Sequence, residues 1–174
     1  MQGRIDSSLC REGEAEVLES STLIARDLLE SKRSSVRIYS STLKRCVETA
    51  EIISRNLSKM NIKNSVSFHE SLVEMSFGEW EGKKKEEIDK EIIEERSRNI
   101  WSFKIPSGES YQDVYERVKT FINENKVKEN TTPVIFVGHE KTCQCLDGIL
   151  NRMQKEDILR NRYSNGEFKK YVIS

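Results

Sequence analysis

Residues Val134–Val137 form the segment that most restricts what this chain can fold into. The run Val-Ile-Phe-Val is continuously apolar and is followed at once by Gly138 and His139. Four consecutive apolar residues predict a strand buried on both faces, which is typical of parallel sheets covered by helices. A second short strand is predicted at residues 36–39, directly before a segment with helical periodicity. We therefore expect an α/β fold of three layers, with helices on both faces of a mostly parallel central sheet.

Helical segments alternate with these strands. The clearest one covers residues 42–57, where apolar residues recur every three or four positions and form a single stripe. Another begins at Ser110, because Asp113 three residues later completes a capping pattern. Helices are also predicted at residues 13–31, 86–100, 142–153 and 156–162, and short strands at residues 66–68 and 168–173. The first helix is expected to bury Leu18, Ala25, Leu28 and Leu29.

Length and charge limit the class of protein. The chain has 174 residues, which fits one domain covering residues 1–174. Lys+Arg and Asp+Glu both number 29, and this balance argues against nucleic-acid or anionic-membrane binding, which usually requires a basic excess. No apolar run is long enough to span a membrane, so we expect a cytoplasmic protein. The four cysteines match no zinc spacing and are expected to be buried and reduced: Cys10, Cys46, Cys143 and Cys145.

Two polar residues follow the predicted strands at equivalent positions. Arg45 lies in the first turn of the helix after residues 36–39, and His139 directly follows Val134–Val137. The carboxyl ends of parallel strands gather ligands in open sheets. A helix N-terminus offers free N–H groups to an anion, and an arginine adds a two-pronged donor for phosphate. These positions predict a phosphate site at one edge of the sheet.

The order of the segments resembles the histidine phosphatase superfamily, also called phosphoglycerate mutase-like. Five stretches are similar to its motifs and follow the family order over nearly the whole chain. The third ends in Trp-Glu-Gly, and only a short stretch separates it from the fourth, which favours the small-phosphatase branch. The five stretches are residues 2–9 with Gly13, residues 39–50, residues 72–82, residues 106–110 with Arg117, and residues 134–139.

The resemblance implies the roles of individual residues. Arg45 would bind phosphate, His139 would be the second active-site histidine, and Gly138 before it would lie against the bound group. Glu74 would protonate the leaving oxygen and later activate water. Gln2 and Gly3 would line the mouth of the site.

The same resemblance implies the ligands. The substrate would be a small phosphorylated metabolite. The cations of the site come from side chains, so neither a metal nor another cofactor is expected.

Two positions depart from the family pattern. The family opens with a strand ending in Arg-His-Gly, whose histidine is the nucleophile, and this sequence starts after that point. Its two histidines are His69 and His139, and His69 precedes Glu74 at a position without a catalytic histidine in the family. Glu140 follows His139 where the family usually has glycine, which lets the backbone approach phosphate closely. We expect the 174 residues to lack turnover and the natural chain to extend upstream.

Two classes of function therefore remain open. One is a phosphomonoester hydrolase whose first strand is absent from this sequence. The other is a non-catalytic relative that binds phosphorylated ligands or partner proteins. A strand-complementing partner or a second copy of the chain is a further expectation, since the first strand of the family lies beside the one that ends in His139. A nucleotide-binding domain is disfavoured because no GxGxxG or P-loop pattern is present.

Overall fold

The computed structural model describes residues 1–129, 131–164 and 166–171. Its sheet contains three parallel strands in the order β2-β1-β3, where β1 is Ser35–Ser40, β2 is Lys63–Phe68 and β3 is Val134–Val137. Ile38 in the central strand is paired with Val66 on one side and Ile135 on the other. The α/β class and the parallel sheet are confirmed, and the ends of β1 and β3 lie side by side.

Helices cover both faces of this sheet. One face carries α1 (Arg11–Glu30) and α2 (Lys44–Lys59), whose apolar residues pack with Val36 and Ile38 of β1. The other face carries α4 (Tyr111–Glu124) and α5 (Glu140–Leu150), which share a core with Tyr39. No helix of the described ranges is both long and apolar enough to cross a membrane. The remaining helices are α3 (Lys90–Arg98) and α6 (Lys155–Arg160).

The first helix forms as predicted but buries a different stripe. Ala25 and Leu28 are in the core, whereas Leu18 and Leu29 are 50% and 48% exposed. The buried stripe of α1 instead starts at Val17 and continues through Ser21. Residues spaced by three and four positions share one face, and the stripe through Val17 is the one that meets α2. The predicted burial of Leu18 and Leu29 was therefore wrong.

The four thiols are free, and their burial was only partly predicted. Cys46 and Cys145 are buried, and Cys143 is partly buried. Cys10 is exposed, contrary to the prediction, because it is the N-cap of α1, where its sulfur accepts a hydrogen bond from Gly13 N–H at 3.4 Å.

Strand β3 is less enclosed than its composition predicted. Only Val137 is buried, while the three residues before it are partly exposed. Within the described residues β3 pairs with β1 alone, so it forms an edge of the sheet. Its peptide groups alternate in direction: the carbonyl of Val137 accepts from Ser41 N–H at 3.0 Å, and those of Val134 and Phe136 face away from β1.

The strand predicted at residues 168–173 is not found in its described part. Residues 168–171 are irregular, and residues 172 and 173 lie outside the described ranges. Side chains of this segment bind helices instead of joining a ladder. Lys170 pairs with Asp27 of α1 at 2.5 Å, and the hydroxyl of Tyr171 lies 3.2 Å from that of Tyr163, which in turn binds Asp147 of α5.

Candidate active site

Arg45 and His139 meet at the carboxyl edge of the sheet. Arg45 is the second residue of α2, and His139 is the N-cap of α5. Since β1 and β3 are neighbours, the two helix starts lie together. The Nε–H of Arg45 donates to Nδ1 of His139 at 3.2 Å. Two residues separated by 94 positions in sequence therefore form one contact at the predicted place.

The imidazole of His139 is held on both nitrogens. Its Nε2 lies 2.9 Å from the hydroxyl of Ser41 and 3.4 Å from the sulfur of Cys46. Because Nδ1 accepts from Arg45, Nε2 carries the proton of the neutral ring and donates to Ser41. Burial, with the positive charges of Arg45 and Arg117, lowers the pKa of His139 to about 3. At neutral pH this residue is a hydrogen-bond donor without a charge.

The two terminal nitrogens of Arg45 each donate one N–H to the N-terminal loop. One terminal nitrogen donates to the carbonyl of Gly3 and the other to that of Ile5, both at 3.0 Å. Gly3 adopts a φ of +55°, and a Cβ there would lie 2.6 Å from the carboxylate of Glu81. Gly3 is thus part of the site. The side chain of Gln2 is exposed and donates to Ser7 at 2.9 Å, so Gln2 lies beside the site with its amide directed elsewhere.

Glu74 lies in the loop after β2, against the start of α5. Its carboxylate accepts from the N–H of Met75 at 2.8 Å and is close to Lys141, two residues after His139. Burial is the largest influence on this group and raises the pKa of Glu74 above its usual range, against the opposing effect of Lys141. A carboxyl group with a raised pKa retains a proton that it can deliver to a leaving oxygen.

His69 lies apart from this cluster. Its ring packs edge-on against Phe121 and Tyr39, with centroids 4.7 and 5.5 Å away, and its Nε2 is 3.0 Å from the hydroxyl of Ser67. His69 therefore belongs to a cluster of aromatic side chains with Tyr39 and Phe121. The expectation that His69 has no part in the site agrees with these contacts.

The carboxylate of Glu140 is paired with two cations. It pairs with Lys141 at 2.9 Å and with Arg162 at 3.4 Å. The neighbouring Gly138 accepts at its carbonyl from the thiol of Cys46 at 3.5 Å. A Cβ at Gly138 would lie 3.3 Å from the sulfur of Cys143, so this position favours glycine. The negative charge of Glu140 is therefore compensated by Lys141 and Arg162.

A comparison with protein families identifies the chain. The model described as histidine phosphatase superfamily, branch 1, matches residues 1–174. The chain belongs to the histidine phosphatase superfamily.

Proteins named as phosphatases are similar in sequence. A putative phosphoserine phosphatase 2 of Hydrogenobacter thermophilus is 30% identical over 160 residues, which cover 90% of this chain and 73% of that protein. Mouse 6-phosphofructo-2-kinase/fructose-2,6-bisphosphatase 1 is 27% identical over 151 residues, which cover 84% of this chain. The chain spans only 29% of the length of the mouse protein.

The fold is that of the same superfamily. The structure of a mycobacterial glucosyl-3-phosphoglycerate phosphatase superposes with a TM-score of 0.77 at 23% identity, over 95% of this chain and 78% of the other. A putative alpha-ribazole-5'-P phosphatase from Escherichia coli gives a TM-score of 0.76 at 22% identity, again over 95% of this chain and 78% of the other. The predicted phosphoglycerate mutase-like architecture is confirmed.

Ser41 and Arg4 contact candidate site residues and Glu109 pairs with Arg4, and sequence reasoning did not single these three out. Ser41 contacts His139, and its place between a strand and the helix of Arg45 was a usable signal. Arg4 donates from Nε to the carbonyl of Glu74 at 3.1 Å and pairs with Glu109 at 3.1 Å. These contacts join positions far apart in sequence, which no local pattern reveals.

Proposed function

We propose that this chain supplies the phosphate-binding and proton-donating groups of a phosphomonoester hydrolase that acts on a small phosphorylated metabolite. The observation that carries the proposal is the contact between Arg45 and His139, with Glu74 close by at the start of α5. A cation and a neutral imidazole donor at helix N-termini, with a carboxyl group of raised pKa beside them, suit a bound phosphate ester.

Each group has one task in the proposed reaction. The two terminal N–H groups of Arg45 that are not used in its contacts with the N-terminal loop bind nonbridging oxygens of the phosphoryl group. The Nε2–H of His139 also binds these oxygens, after it exchanges Ser41 for the ligand. The bond from phosphorus to the ester oxygen breaks, and Glu74 delivers its proton to that oxygen. The phosphoryl group passes to a histidine, which in the family pattern precedes the first motif. Glu74, now a carboxylate, then takes a proton from the water that releases phosphate.

The substrate class follows from family membership and the charges of the site. The similar proteins are named for phosphoserine, fructose bisphosphate and glucosyl-phosphoglycerate, all small phosphate esters. We propose a ligand of that size, because the basic groups are local and the chain carries no net charge.

Calorimetry with inorganic phosphate or vanadate tests the binding half of the proposal. Arg45→Ala should weaken the affinity about tenfold or more, because a hydrogen bond from a charged donor contributes about 1.5–3 kcal/mol. Arg55→Ala is the matched control: Arg55 lies on the same helix, is exposed, and donates to the carbonyl of Glu51. Equal affinities in the wild type and Arg45→Ala would remove Arg45 from the site.

A non-catalytic phospho-ligand-binding function is the second candidate. One observation favours it: the sequence contains two histidines, of which His139 is bonded at both nitrogens and His69 packs among aromatic rings. For the 174 residues alone we expect binding without turnover of p-nitrophenyl phosphate and without acid-labile phosphohistidine. Turnover that disappears in His69→Ala would reverse the assignment of His69.

A further inference from the structure

The carboxylate of Glu109 joins three groups behind the Glu74 loop. Its Oε1 accepts from Nε of Arg117 at 2.9 Å. Its Oε2 accepts from the backbone N–H of Ser76 at 2.9 Å and pairs with Arg4 at 3.1 Å. The side chain is only 18% exposed. A carboxylate between two guanidinium groups and a peptide N–H is a rigid anchor, because charge-assisted hydrogen bonds are short and directional.

Arg117 links Glu109 to the residues before Glu74. One terminal nitrogen of Arg117 donates to the carbonyl of Ser71 at 2.7 Å, and the other to that of Val73 at 2.8 Å. Its side chain is also 18% exposed, so it depends on Glu109 for a partner of opposite charge. Loss of that charge would leave a mostly buried cation without compensation, which is strongly unfavourable.

Arg4 links Glu109 to Glu74 itself. The Nε of Arg4 donates to the carbonyl of Glu74 at 3.1 Å, while its other end pairs with Glu109. The peptide groups before, at and after Glu74 are therefore each bound by Glu109 or by a cation paired with it. Neutralising Arg117 requires only its pairing with Glu109. The additional bonds to the Ser76 N–H and to the Glu74 carbonyl bind uncharged groups of the loop, so they serve to hold the loop.

We propose that Glu109 is a positioning residue that holds the carboxyl group of Glu74 in its partly buried place beside α5, acting through Arg117, Arg4 and Ser76. The inference rests on the proposed function only in giving Glu74 a chemical role. The position of the Glu74 carboxyl group can be measured separately from any activity.

The groups facing Glu74 determine what that measurement should show. Lys141 and Glu140 face it from α5, and the thiols of Cys46, Cys143 and Cys145 lie near enough to sense its charge. Burial is the dominant influence on its pKa. If the loop relaxes, water reaches the carboxyl group, and its pKa falls toward the ordinary value of about 4.3.

The test is an NMR titration of the Glu74 side-chain carboxyl carbon in the 174-residue chain. In Glu109→Gln the midpoint should fall toward the ordinary range, and the Ser76 amide should exchange faster. Glu79→Gln is the matched control, because Glu79 is exposed, lies in the same loop region and accepts from Ser107 at 3.2 Å. It should leave the Glu74 midpoint unchanged. A folded Glu109→Gln protein with the wild-type midpoint would overturn the proposal.

Arg4→Gln keeps the proposal testable where Glu109→Gln fails to fold. Arg4 is 39% exposed, and its loss leaves the Glu109–Arg117 pair in place. We expect a smaller fall of the Glu74 midpoint in the same direction, and an unchanged midpoint would overturn the proposal. The titration is independent of turnover. If Glu74→Gln had no effect on the rate of an active form, the proposed function would fail while the positioning by Glu109 stood.

Discussion

The Nε of Arg45 lies 3.2 Å from Nδ1 of His139, and this contact fixes the protonation of the ring. A guanidinium group only donates, so Nδ1 must accept, and the proton of the neutral imidazole is on Nε2. The Ser41 hydroxyl then accepts a hydrogen bond from Nε2–H at 2.9 Å. Arg45 and Ser41 together therefore fix the tautomer of His139, and a phosphoryl oxygen would have to replace Ser41 to reach the Nε2–H.

The first prediction is this tautomer. Nitrogen-15 spectra at neutral pH should show His139 with Nε2 protonated and Nδ1 free. In Ser41→Ala the preference should persist, because Arg45 still occupies Nδ1, whereas Arg45→Ala should give a mixture of tautomers. His69 provides the internal comparison, since no cation is bonded to its ring. Protonation of Nδ1 in the wild-type protein would contradict the geometry.

The second prediction concerns stability in acid. The folded state lowers the pKa of His139 to about 3, whereas the unfolded chain titrates near 6.5. Between these values the unfolded state binds more protons, so stability is retained above pH 6.5 and decreases as the pH falls toward 3. The contribution of one proton is about 1.4 kcal/mol per pH unit.

Denaturant unfolding of His139→Gln against pH measures that contribution. The slope of the unfolding free energy against pH, between pH 6.5 and about 3, should be shallower in the variant than in the wild type by nearly one proton. His69→Gln should change the slope less, because burial also lowers the pKa of His69 but its ring is closer to water. Identical slopes in the wild type and His139→Gln would show that His139 is protonated normally.

Sequence reasoning placed Arg45 and His139 together because both follow strands, and parallel strands share one carboxyl edge. It placed Ser110 as a helix cap for an equally local reason, and the capping box with Asp113 is present. The burial of Leu18 was predicted wrongly because periodicity shows which residues share a helix face but not which of them pack against a neighbouring element. Sequence reasoning missed Glu109 because the contacts of that residue join four separate segments, and only the folded chain brings them together.

The third prediction compares two glycines. Gly78 has a φ of +47°, and a Cβ there would lie 2.2 Å from the carbonyl oxygen of Pro106. This contact joins the Glu74 loop to the loop of Glu109, so Gly78→Ala should destabilise the protein by at least about 2 kcal/mol. Gly13 lies in α1, where a Cβ would make only ordinary contacts, the nearest at 3.5 Å. Gly13→Ala should stabilise by about 0.5–1 kcal/mol. Thermal or denaturant unfolding decides, and equal effects would contradict the backbone argument.

The fourth prediction concerns Glu74→Gln. The pKa of Glu74 is raised, so the unfolded chain releases its proton at a lower pH than the folded chain does. Stability from this group is therefore full below the ordinary pKa and decreases as the pH rises through the raised value. Glu74→Gln should remove that decrease, so the variant should gain stability relative to wild type as the pH rises above the ordinary carboxyl pKa.

The same variant separates binding from catalysis. Phosphate affinity should stay close to that of the wild type, because the acid acts on the leaving oxygen and not on the bound anion. In an active form, turnover should fall most for esters with poor leaving groups, which depend on protonation. Glu79→Gln serves as the exposed control for both measurements. An unchanged rate across leaving groups would return Glu74 to the class of structural carboxylates.

The last prediction concerns the outer edge of β3. Within the described residues β3 has β1 on one side and no strand on the other, and the peptide groups of Val134 and Phe136 face that second side. A peptide group without a partner costs up to about 1–3 kcal/mol, less where water reaches it as on the partly exposed β3, and an apolar edge is a template for aggregation. We predict that a further strand, from a longer form of the chain or from a partner, pairs here.

A strand ending in Arg-His-Gly, fused ahead of residue 1, provides the test. It should raise the unfolding free energy by several kcal/mol, because each new ladder hydrogen bond contributes about 1 kcal/mol and covers apolar surface. It should also slow amide exchange at Val134 and Phe136 and reduce light scattering. The matched control carries a proline at the centre of the added strand, which removes a ladder donor and should cancel most of the gain. A stable, cooperative monomer of the 174 residues, whose Val134 and Phe136 amides are unaffected by the fusion, would contradict the prediction.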